Sequence, residues 1–436
     1  METIFDRTPD GTMLLEGHDV RDLVQRFGSP LIVMLESTVR ENCRGYRQAM
    51  TRRYPRSRVY YASKAFLTTG FCRLMQQEGL GLDVVSEGEL ATALAAGFPT
   101  EMILMHGNAK TEQDLSLALR EGVGRIVIDN LEEIDRLARL TTALDRTVKV
   151  LIRVTPGVKP HTHQYIQTGQ VDSKFGFNLS GGAATEAIRR VLEIERLELV
   201  GLHCHIGSQI FETKPFAIAA GTMMQLYARA RREMGAPLDE LNLGGGLGVR
   251  YAADDFPPSI EEHIDALTEA VLAAAKEHDV EPPVLLDEPG RSIVAPAGVT
   301  LYTVQSTKRI PGVRNYASVD GGMTDNPRYA LYRARHQMLA ATRLDASADT
   351  LWSISGRCCE SGDMLIHDVT LPELSQGDLL AVLSTGAYTH SMASNYNRVA
   401  RPAVVLVAPG RAGLLARRET PEDMLRLDRV PDWLER

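Results

Sequence analysis

The stretch Arg58-Val59-Tyr60-Tyr61-Ala62-Ser63-Lys64 decides the fold, because it contains the first of a series of short β-rich runs. Seven further runs follow it, and helix-like amphipathic segments separate them. Several are continuously apolar, as parallel strands are when both faces of their sheet are covered. Together the runs predict eight strands, at residues 58–62, 82–86, 102–106, 125–129, 149–154, 199–205, 241–243 and 284–287.

Eight strands that alternate with helices indicate an α/β fold, a (β/α)8 TIM barrel, with a doubly wound sheet as the alternative. After about residue 290 the helix-like segments become rare, which predicts a second, mostly antiparallel β domain. A chain of 436 residues also exceeds one ordinary core. We therefore expect a barrel at 30–290 and a second domain at 1–29 plus 291–436. The strands predicted in this second domain are 300–306, 316–320, 352–355, 379–383 and 403–408.

Composition and charge exclude several classes of function. The net charge of −8, without a basic run, argues against nucleic acid as a partner. No run approaches the ~18 consecutive apolar residues of a membrane span, and the amino terminus does not resemble a secretion signal. Five cysteines, an odd number without metal-ligand spacing, suit a reduced protein better than a disulfide framework. These features predict a cytoplasmic enzyme without membrane or nucleic-acid partners.

Lys64 follows the first strand directly and is flanked by small residues. A lysine in this position is either a solvated strand end or a partly buried amine that forms a Schiff base. Lys174 is its main rival for that role. Lys174 lies in the polar, non-periodic segment 159–182, whose length indicates a functional loop at the carboxyl-terminal face of the barrel.

A glycine cluster and an acid follow the last two predicted strands. Gly244-Gly245-Gly246-Leu247-Gly248 lets backbone N–H groups approach an anion, although tight turns use such clusters as well. Barrels commonly bind phosphate at the ends of the seventh and eighth strands. Glu288 and Arg291 form either a structural ion pair or a carboxylate that faces a pyridine nitrogen, beside a guanidinium. A phosphorylated aldehyde cofactor requires these groups together with the amine of Lys64.

Histidines and cysteines provide further candidates. His203 and His205 end the sixth strand on one face, where stacking against a cofactor ring competes with a core position. No third metal ligand has a suitable spacing, so we predict no metal site. Cys359 is either an inert thiol or, beside Glu360, a proton donor. Tyr388 alone carries little information.

These motifs resemble the pyridoxal-phosphate decarboxylases of the alanine-racemase-like fold, and most closely the diaminopimelate decarboxylase family. The similarity covers nearly the whole chain. Ser63 and Phe66 depart from the valine and asparagine that are common in the family, but neither bears the chemistry. The matching stretches are 61–66, 81–90, 163–169, 172–176, 201–210, 241–248, 288–291, 319–331, 359–365 and 386–397.

The resemblance implies pyridoxal 5'-phosphate as the cofactor and Lys64 as its Schiff-base residue, with Glu288 at the pyridine nitrogen and His205 against the ring. It also implies that Asp83 is an acid near the cofactor and that Cys359 is the proton donor. A homodimer is implied as well, in which each Cys-Glu segment reaches into the partner's active site. The other implied cofactor contacts are Ser208, Gly245, Gly246, Gly290, Arg291 and Tyr388, and the implied substrate contacts are Arg291, Arg328, Tyr332, Glu360 and Tyr388.

The distal contacts favour one small amino-acid substrate. Diaminopimelate carries an ammonium and a carboxylate at its far end, and Glu360 and Arg328 match that pair. The resemblance therefore implies decarboxylation of meso-diaminopimelate to L-lysine and carbon dioxide. Three alternatives stay open: a related decarboxylase of ornithine, arginine or a carrier-bound amino acid, an amino-acid racemase, and a non-catalytic cofactor-binding or regulatory homologue.

Overall fold

The computed structural model describes residues 4–158 and 172–435, and the chain divides into two compact units. The barrel unit comprises Arg40–Val249 and Phe256–Ile293, and the β unit comprises Met1–Val39, Arg250–Asp255 and Val294–Arg436. The expected boundaries, at 29/30 and 290/291, differ from these. The main reason is that a strand at Leu31–Leu35 pairs within the sheet of the β unit rather than with the barrel.

The described strands, in chain order, are β1 (Asp6–Arg7), β2 (Met13–Leu15), β3 (His18–Asp19), β4 (Leu31–Leu35), β5 (Ser57–Ala62), β6 (Gly81–Val84), β7 (Ile103–Met105), β8 (Arg125–Ile128), β9 (Val148–Thr155), β10 (Phe177–Asn178), β11 (Leu197–His203), β12 (Glu240–Asn242), β13 (Val284–Asp287), β14 (Gly298–Ile310), β15 (Arg314–Val319), β16 (Met338–Ala340), β17 (Thr350–Ser355), β18 (Met364–Leu371), β19 (Leu379–Leu383), β20 (Ala403–Ala408) and β21 (Arg411–Ala416).

The described α-helices are α1 (Val20–Phe27), α2 (Glu36–Arg53), α3 (Thr69–Gln77), α4 (Glu87–Ala95), α5 (Glu112–Glu121), α6 (Leu131–Leu144), α7 (Ala183–Leu192), α8 (Lys214–Met234), α9 (Ile260–Glu277), α10 (Arg291–Val294), α11 (Arg328–Tyr332) and α12 (Pro421–Leu425). Side-chain caps define several helix starts, for example Ser259, which with Glu262 forms a capping box at α9. Across 4–158 and 172–435, no helix is both long and apolar enough to cross a membrane.

Eight parallel strands of the barrel unit close on themselves. β5, β6, β7, β8, β9, β11, β12 and β13 pair in that order, and β13 pairs with β5 to complete the ring. The predicted (β/α)8 barrel is therefore confirmed, and each of the eight predicted strands overlaps an observed one. The closed ring rules out the doubly wound alternative. The short strand β10 adds to the carboxyl end of β9 without entering the ring.

The amino-terminal end of the barrel is fixed by tight packing and one buried ion pair. A Cβ atom on Gly81 would lie 2.2 Å from the Tyr60 ring, so only glycine lets this ring fill the barrel beside Leu104 and Leu286. Arg125 Nε donates to Glu240 Oε2 at 2.7 Å, and a second bond makes the contact bidentate. Because chemistry in TIM barrels lies at the opposite face, we assign this end to stability.

The β unit is built around a mixed, mostly antiparallel sheet in the order β18-β17-β15-β14-β4-β20-β21, with β19 paired to β14 and to β16. Only the β15–β17 and β4–β20 pairs are parallel. The five strands predicted here are observed, and the prediction missed β16, β18 and β21. The amino-terminal contribution to this sheet is β4, which lies just beyond the expected residues 1–29, while β1, β2 and β3 form a small sheet of their own.

The predicted functional loop 159–182 is only partly described. Residues 159–171, which include the family-like stretch 163–169, lie outside the described residues. The remainder contains β10, which pairs with the carboxyl end of β9, and a short 3-10 turn at Ser180–Gly182. Lys174 is exposed, and its Nζ atom lies 5.0 Å from the centre of the Phe175 ring.

Candidate active site

Lys64 lies in a 3-10 turn, Ser63–Ala65, directly after β5, and its side chain is exposed at the carboxyl-terminal face of the barrel. This turn packs against the residues that follow β13. The Ala62 N–H donates to the Pro289 carbonyl at 3.0 Å, and a Cβ atom on Gly290 would lie 2.9 Å from the Ala62 Cβ. The backbone that carries the lysine is therefore fixed to the turn that carries the predicted acid.

Glu288 is that acid, and it is buried in a set of hydrogen-bond donors. Its Oε1 atom accepts from His106 Nε2 at 2.8 Å and from Asn242 Nδ2 at 2.6 Å, while Oε2 accepts from His203 Nε2 at 3.3 Å. Burial alone would raise the pKa of Glu288, but the imidazoles of His106 and His203 more than offset it and hold the pKa well below its usual value. Glu288 is consequently a carboxylate at neutral pH.

Three hydrogen bonds do not exhaust the acceptor capacity of Glu288. A carboxylate has about four lone-pair positions, so one remains for a further donor such as a protonated ring nitrogen. His203 contributes as a neutral donor, because burial lowers its pKa to about 3 despite the opposing charge of Glu288.

His106, His203 and Glu288 also form a cluster of potential metal ligands, whose ligand atoms lie within 4.8 Å of one another. Sequence spacing did not reveal this cluster, because the three residues follow or end three different strands, β7, β11 and β13. The same nitrogen and oxygen atoms hydrogen-bond to one another. We therefore interpret the cluster as the support of a carboxylate.

His205 is held by the glycine turn after β12. The Gly245 N–H donates to His205 Nδ1 at 3.3 Å, and a Cβ atom on Gly244 would lie 2.8 Å from the same nitrogen. Burial and then the positive charge of Lys64 lower the pKa of His205 well below its usual value. The result is a neutral, oriented ring under the electrostatic influence of the candidate lysine.

The glycine turn leaves no room for side chains at its centre. A Cβ atom would lie 2.1 Å from the Glu288 carbonyl oxygen at Gly245, and 2.3 Å from the Gly207 carbonyl oxygen at Gly246. Gly246 also has a φ of +128°, which residues with a Cβ rarely adopt. Glycine at these positions brings the backbone against the neighbouring loops, as an anion cradle requires.

Arg291 and Ser208 meet beside this turn. Arg291 is buried, and both its Nε and Nη2 atoms donate to Ser208 Oγ at 3.0 Å. A guanidinium and a hydroxyl next to a glycine turn are the groups that bind a phosphate in proteins.

Other charged groups are buried at the ends of the strands. Asp83 lies in β6, and its Oδ1 atom has no hydrogen-bond partner among the described residues. Burial raises the pKa of Asp83 against the effect of His106. In β9, the Arg153 Nη1 atom lies 3.6 Å from Asp129 Oδ2, and the Arg153 Cζ atom lies 4.4 Å from the centre of the Phe175 ring. An unsatisfied buried carboxylate oxygen indicates a missing donor in the site.

In the β unit, the predicted substrate contacts Arg328, Tyr332 and Tyr388 lie together. The Arg328 Cζ atom is 4.8 Å from the centre of the Tyr332 ring and 5.7 Å from the centres of the Tyr251 and Tyr388 rings. Arg328 is buried at the start of α11. A guanidinium surrounded by aromatic faces keeps its charge and its orientation, which suits recognition of a carboxylate.

Cys359 and Glu360 are exposed on the connection between β17 and β18. The Cys359 N–H donates to Asn397 Oδ1 at 2.9 Å, and the neighbouring Cys358 N–H donates to Asp363 Oδ2 at 2.7 Å. Burial, reinforced by Asp363, raises the pKa of the Cys358 thiol to about 11. Cys359 is thus the accessible thiol of the pair.

Comparisons with known proteins identify the family of the chain. Residues 36–295 match the family described as pyridoxal-dependent decarboxylase, pyridoxal binding domain. Diaminopimelate decarboxylase of Bacillus subtilis is 49% identical over 418 residues, which are 96% of this chain and 95% of that protein. The chain belongs to the diaminopimelate decarboxylase family.

Solved structures of the same family are also similar. Diaminopimelate decarboxylase of M. jannaschii in complex with L-lysine superimposes with a TM-score of 0.92 at 35% identity, over 99% of this chain and 98% of that one. The Helicobacter pylori diaminopimelate decarboxylase, also in complex with L-lysine, gives 0.85 at 28% identity over 94% and 99% of the two chains. Like these relatives, the chain is a carboxy-lyase, and its cofactor is pyridoxal phosphate.

The residues of the barrel unit fit the cofactor of a diaminopimelate decarboxylase. Lys64 offers an amine to the aldehyde, and Glu288 offers an anionic acceptor with one position open. Gly245, Gly246 and the Arg291–Ser208 pair offer donors and space to a phosphate. The orphaned oxygen of Asp83 is a further polar atom that a bound group could satisfy.

Sequence reasoning missed several residues that each unit places beside its own predicted site residues. They are His106, Asn242 and Arg153 in the barrel unit and Tyr251 in the β unit. A usable indication existed for the first three, since each is a polar residue at or near the carboxyl end of an apolar strand. For Tyr251 no comparable pattern existed, because it lies in the irregular connection between β12 and α9.

Proposed function

We propose that this protein removes the carboxylate from the D-configured carbon of meso-diaminopimelate and releases L-lysine and carbon dioxide. The proposal is supported by full-length similarity to proteins named for this reaction and by lysine in the related crystal structures. The observation that carries it is the direct packing of the Lys64 turn on the Glu288 turn, through Ala62 and Gly290. That packing supports a role for the two residues at opposite ends of one cofactor ring.

Bound pyridoxal phosphate supplies a ring that accepts the electrons of the breaking carbon–carbon bond. Glu288 would keep a proton on the ring nitrogen, since its low pKa makes it an anion that favours a cationic neighbour. His205, a neutral imidazole held by the glycine turn, would pack against the ring. Lys64 would hold the aldehyde of the cofactor through its side-chain amine.

Recognition of the far end of the substrate requires both signs of charge. Arg328, oriented by three tyrosine rings, binds the distal carboxylate, and Glu360 binds the distal ammonium. Burial favours this role for Arg328, because an unpaired carboxylate binds most tightly to a guanidinium that water does not screen.

Cys359 replaces the lost carboxylate with a proton. The bond to the carboxylate breaks, carbon dioxide leaves, and the Sγ proton of Cys359 passes to the same carbon. Solvent then returns a proton to the thiolate. Its exposure supports exchange with solvent, while Cys358 is half-buried.

We further propose a cytoplasmic homodimer in which Cys359 and Glu360 serve the partner's site. Both residues are exposed on the single chain, as residues that complete a neighbouring site must be. All five cysteines lie within the described residues and none forms a disulfide, which favours a reducing compartment.

The test of the reaction is Lys64→Ala, with Lys174→Ala as the matched control. Lys64→Ala should abolish the visible absorption band of the lysine-bound cofactor and the release of carbon dioxide from meso-diaminopimelate. Lys174→Ala should keep both. Retention of the band and of turnover by Lys64→Ala would refute the assignment, whereas loss of both in Lys174→Ala would move the role to the rival lysine.

Mixing Lys64→Ala, which should be inactive, with Cys359→Ala, which should keep only a low residual rate, tests the shared site. In a heterodimer of Lys64→Ala and Cys359→Ala, one site receives an intact lysine and an intact cysteine. Free subunit exchange should therefore restore about a quarter of the wild-type rate, since half of the dimers are mixed and each has one complete site. Mixed dimers that are isolated with two affinity tags and stay inactive would contradict the shared site.

A further inference from the structure

The connection that carries Cys359 is held by two side chains at consecutive backbone N–H groups. Asp363 Oδ2 accepts from the Cys358 N–H at 2.7 Å, and Asn397 Oδ1 accepts from the Cys359 N–H at 2.9 Å. Two fixed amides leave the Cys359 side chain one main freedom, its rotation about the Cα–Cβ bond. The exposed thiol is therefore attached to a backbone whose orientation is set.

Asp363 is a buried anchor of this connection. It is 2% exposed, and its Oδ1 atom accepts from the Met323 N–H at 2.6 Å. Cβ atoms on Gly322 and Gly356 would lie 2.4 and 2.2 Å from this oxygen, so both glycines are needed to admit the carboxylate. Asp363 thereby joins the connection to the segment that follows β15.

Asn397 is the second anchor, and its own backbone is unusual. Asn397 and Arg398 have φ values of 52° and 55°, in the left-handed region that few residues other than glycine and asparagine adopt at low cost. Arg398 donates to Asp428 Oδ2 at 2.7 Å and to the Met424 carbonyl at 3.1 Å. Residues near the carboxyl terminus thus hold the segment that presents the Asn397 amide oxygen.

We propose that Asn397 is a positioning residue for the proton donor: its side-chain oxygen fixes the Cys359 amide and so the direction in which the thiol is presented. The inference rests on the proposed proton-donating role of Cys359. Proton transfer requires the donor within hydrogen-bond reach of the carbon, and a misplacement of about 1 Å can cost a hundredfold in rate. An exposed connection without this anchor would spread the thiol over several orientations.

Three substitutions separate the hydrogen bond from the backbone conformation. Asn397→Gly keeps the left-handed backbone and removes the acceptor, whereas Asn397→Asp keeps both. Asn397→Ala removes the acceptor and strains the backbone. In the holoenzyme we expect Asn397→Gly and Asn397→Ala to lower kcat by about tenfold with KM changed by less than about twofold, and Asn397→Asp to keep most of the wild-type kcat.

Product balance provides a second measurement that a purely structural change would not alter. The wild type should form one L-lysine for each carbon dioxide, while Asn397→Gly should form less. In part of its turnovers the proton would go to the cofactor carbon instead of the substrate carbon, so that the amino group would stay on the cofactor and water would release an aldehyde in place of lysine. The double variant Cys359→Ala/Asn397→Gly should be no slower than Cys359→Ala alone, since Asn397 acts through the cysteine. Circular dichroism of each variant verifies the fold.

Two results would overturn the inference: wild-type kcat and product balance in Asn397→Gly, or full additivity in the double variant. Both presuppose a wild type that decarboxylates meso-diaminopimelate. A wild type that binds pyridoxal phosphate but releases no carbon dioxide from this substrate would instead reject the proposed function, so the two failures are distinguishable.

Discussion

His203 Nε2 lies 3.3 Å from Oε2 of Glu288, and both side chains are buried at the carboxyl-terminal ends of the barrel strands. The pair combines a neutral imidazole with a carboxylate, because burial lowers the pKa of the histidine to about 3. Such a pair keeps the charge of Glu288 constant through the neutral range. At low pH this pair lowers the free energy of unfolding, because His203 binds a proton in the unfolded chain but not in the folded one.

The first prediction concerns that acid sensitivity. Between the ordinary histidine pKa and about 3, the unfolded chain binds one more proton at His203 than the folded chain, so stability falls as the pH falls. His203→Gln keeps an N–H donor and does not titrate. Below about pH 6 its free energy of unfolding should depend less on pH than that of the wild type, by about 1.4 kcal/mol per pH unit. Urea unfolding followed by circular dichroism measures both slopes, which should coincide above pH 7. Equal slopes at pH 5 would refute the assignment of a neutral buried imidazole.

The second prediction concerns the glycine turn. Gly245→Ala places a Cβ atom 2.1 Å from the Glu288 carbonyl oxygen and must displace the acid-bearing turn. Overpacking strain of about 1–3 kcal/mol should weaken pyridoxal phosphate binding by about 5- to 150-fold, measured by titration of the apoprotein. The matched control is Gly221→Ala in α8, where no atom lies within 4 Å of the added carbon and stability should rise. Unchanged cofactor affinity in Gly245→Ala would show that the turn can relax without disturbing the site.

The third prediction concerns substrate choice. Arg328→Lys keeps the charge but loses the planar pair of donors, so kcat/KM for meso-diaminopimelate should fall at least about a hundredfold, and further in Arg328→Ala. Arg333→Ala, on an exposed arginine just past the same helix, is the control and should be near wild type. Intact activity of Arg328→Ala on ornithine or arginine, together with poor activity of the wild type on meso-diaminopimelate, would favour the related decarboxylases instead.

The barrel could be predicted from the sequence because its strands are covered on both faces. Runs such as β8, Arg125–Ile128, and β13, Val284–Asp287, are nearly continuous in apolar residues. They lack the alternation of polar and apolar residues that a strand with one solvated face shows. Helices between them supplied the alternation. Only the strand ends, which carry polar residues, differed by one or two positions.

The β unit was harder to predict because several of its strands mix exposed and buried residues. β21, Arg411–Ala416, contains arginine and glycine and has no buried residue at the edge of the sheet. β18, Met364–Leu371, changes from buried to alternating exposure along its length. Such strands depend on their neighbours for pairing, and a single sequence does not reveal those neighbours.

The candidate site also contains residues that the sequence predicted and residues that it did not. Lys64, Glu288 and the glycine turn were visible because they stand directly after apolar runs. His106 and Asn242 complete the donor set of Glu288 but come from strands distant in sequence, and hydrogen bonds between them have no periodicity to detect. Their contact with Glu288 becomes apparent only once the closed barrel brings the ends of these strands together.

The strand β4, Leu31–Leu35, has a consequence for the synthesis of the chain. All five of its residues are buried between Gly298–Leu301 of β14 and Ala403–Val407 of β20. A ribosome adds about 5–20 residues per second, so the apolar strand β4 is synthesised roughly 20–70 s before its second partner strand, β20. During that wait its unpaired edges are open to other nascent chains, and we expect the yield of native protein to depend on chaperones and on dilution.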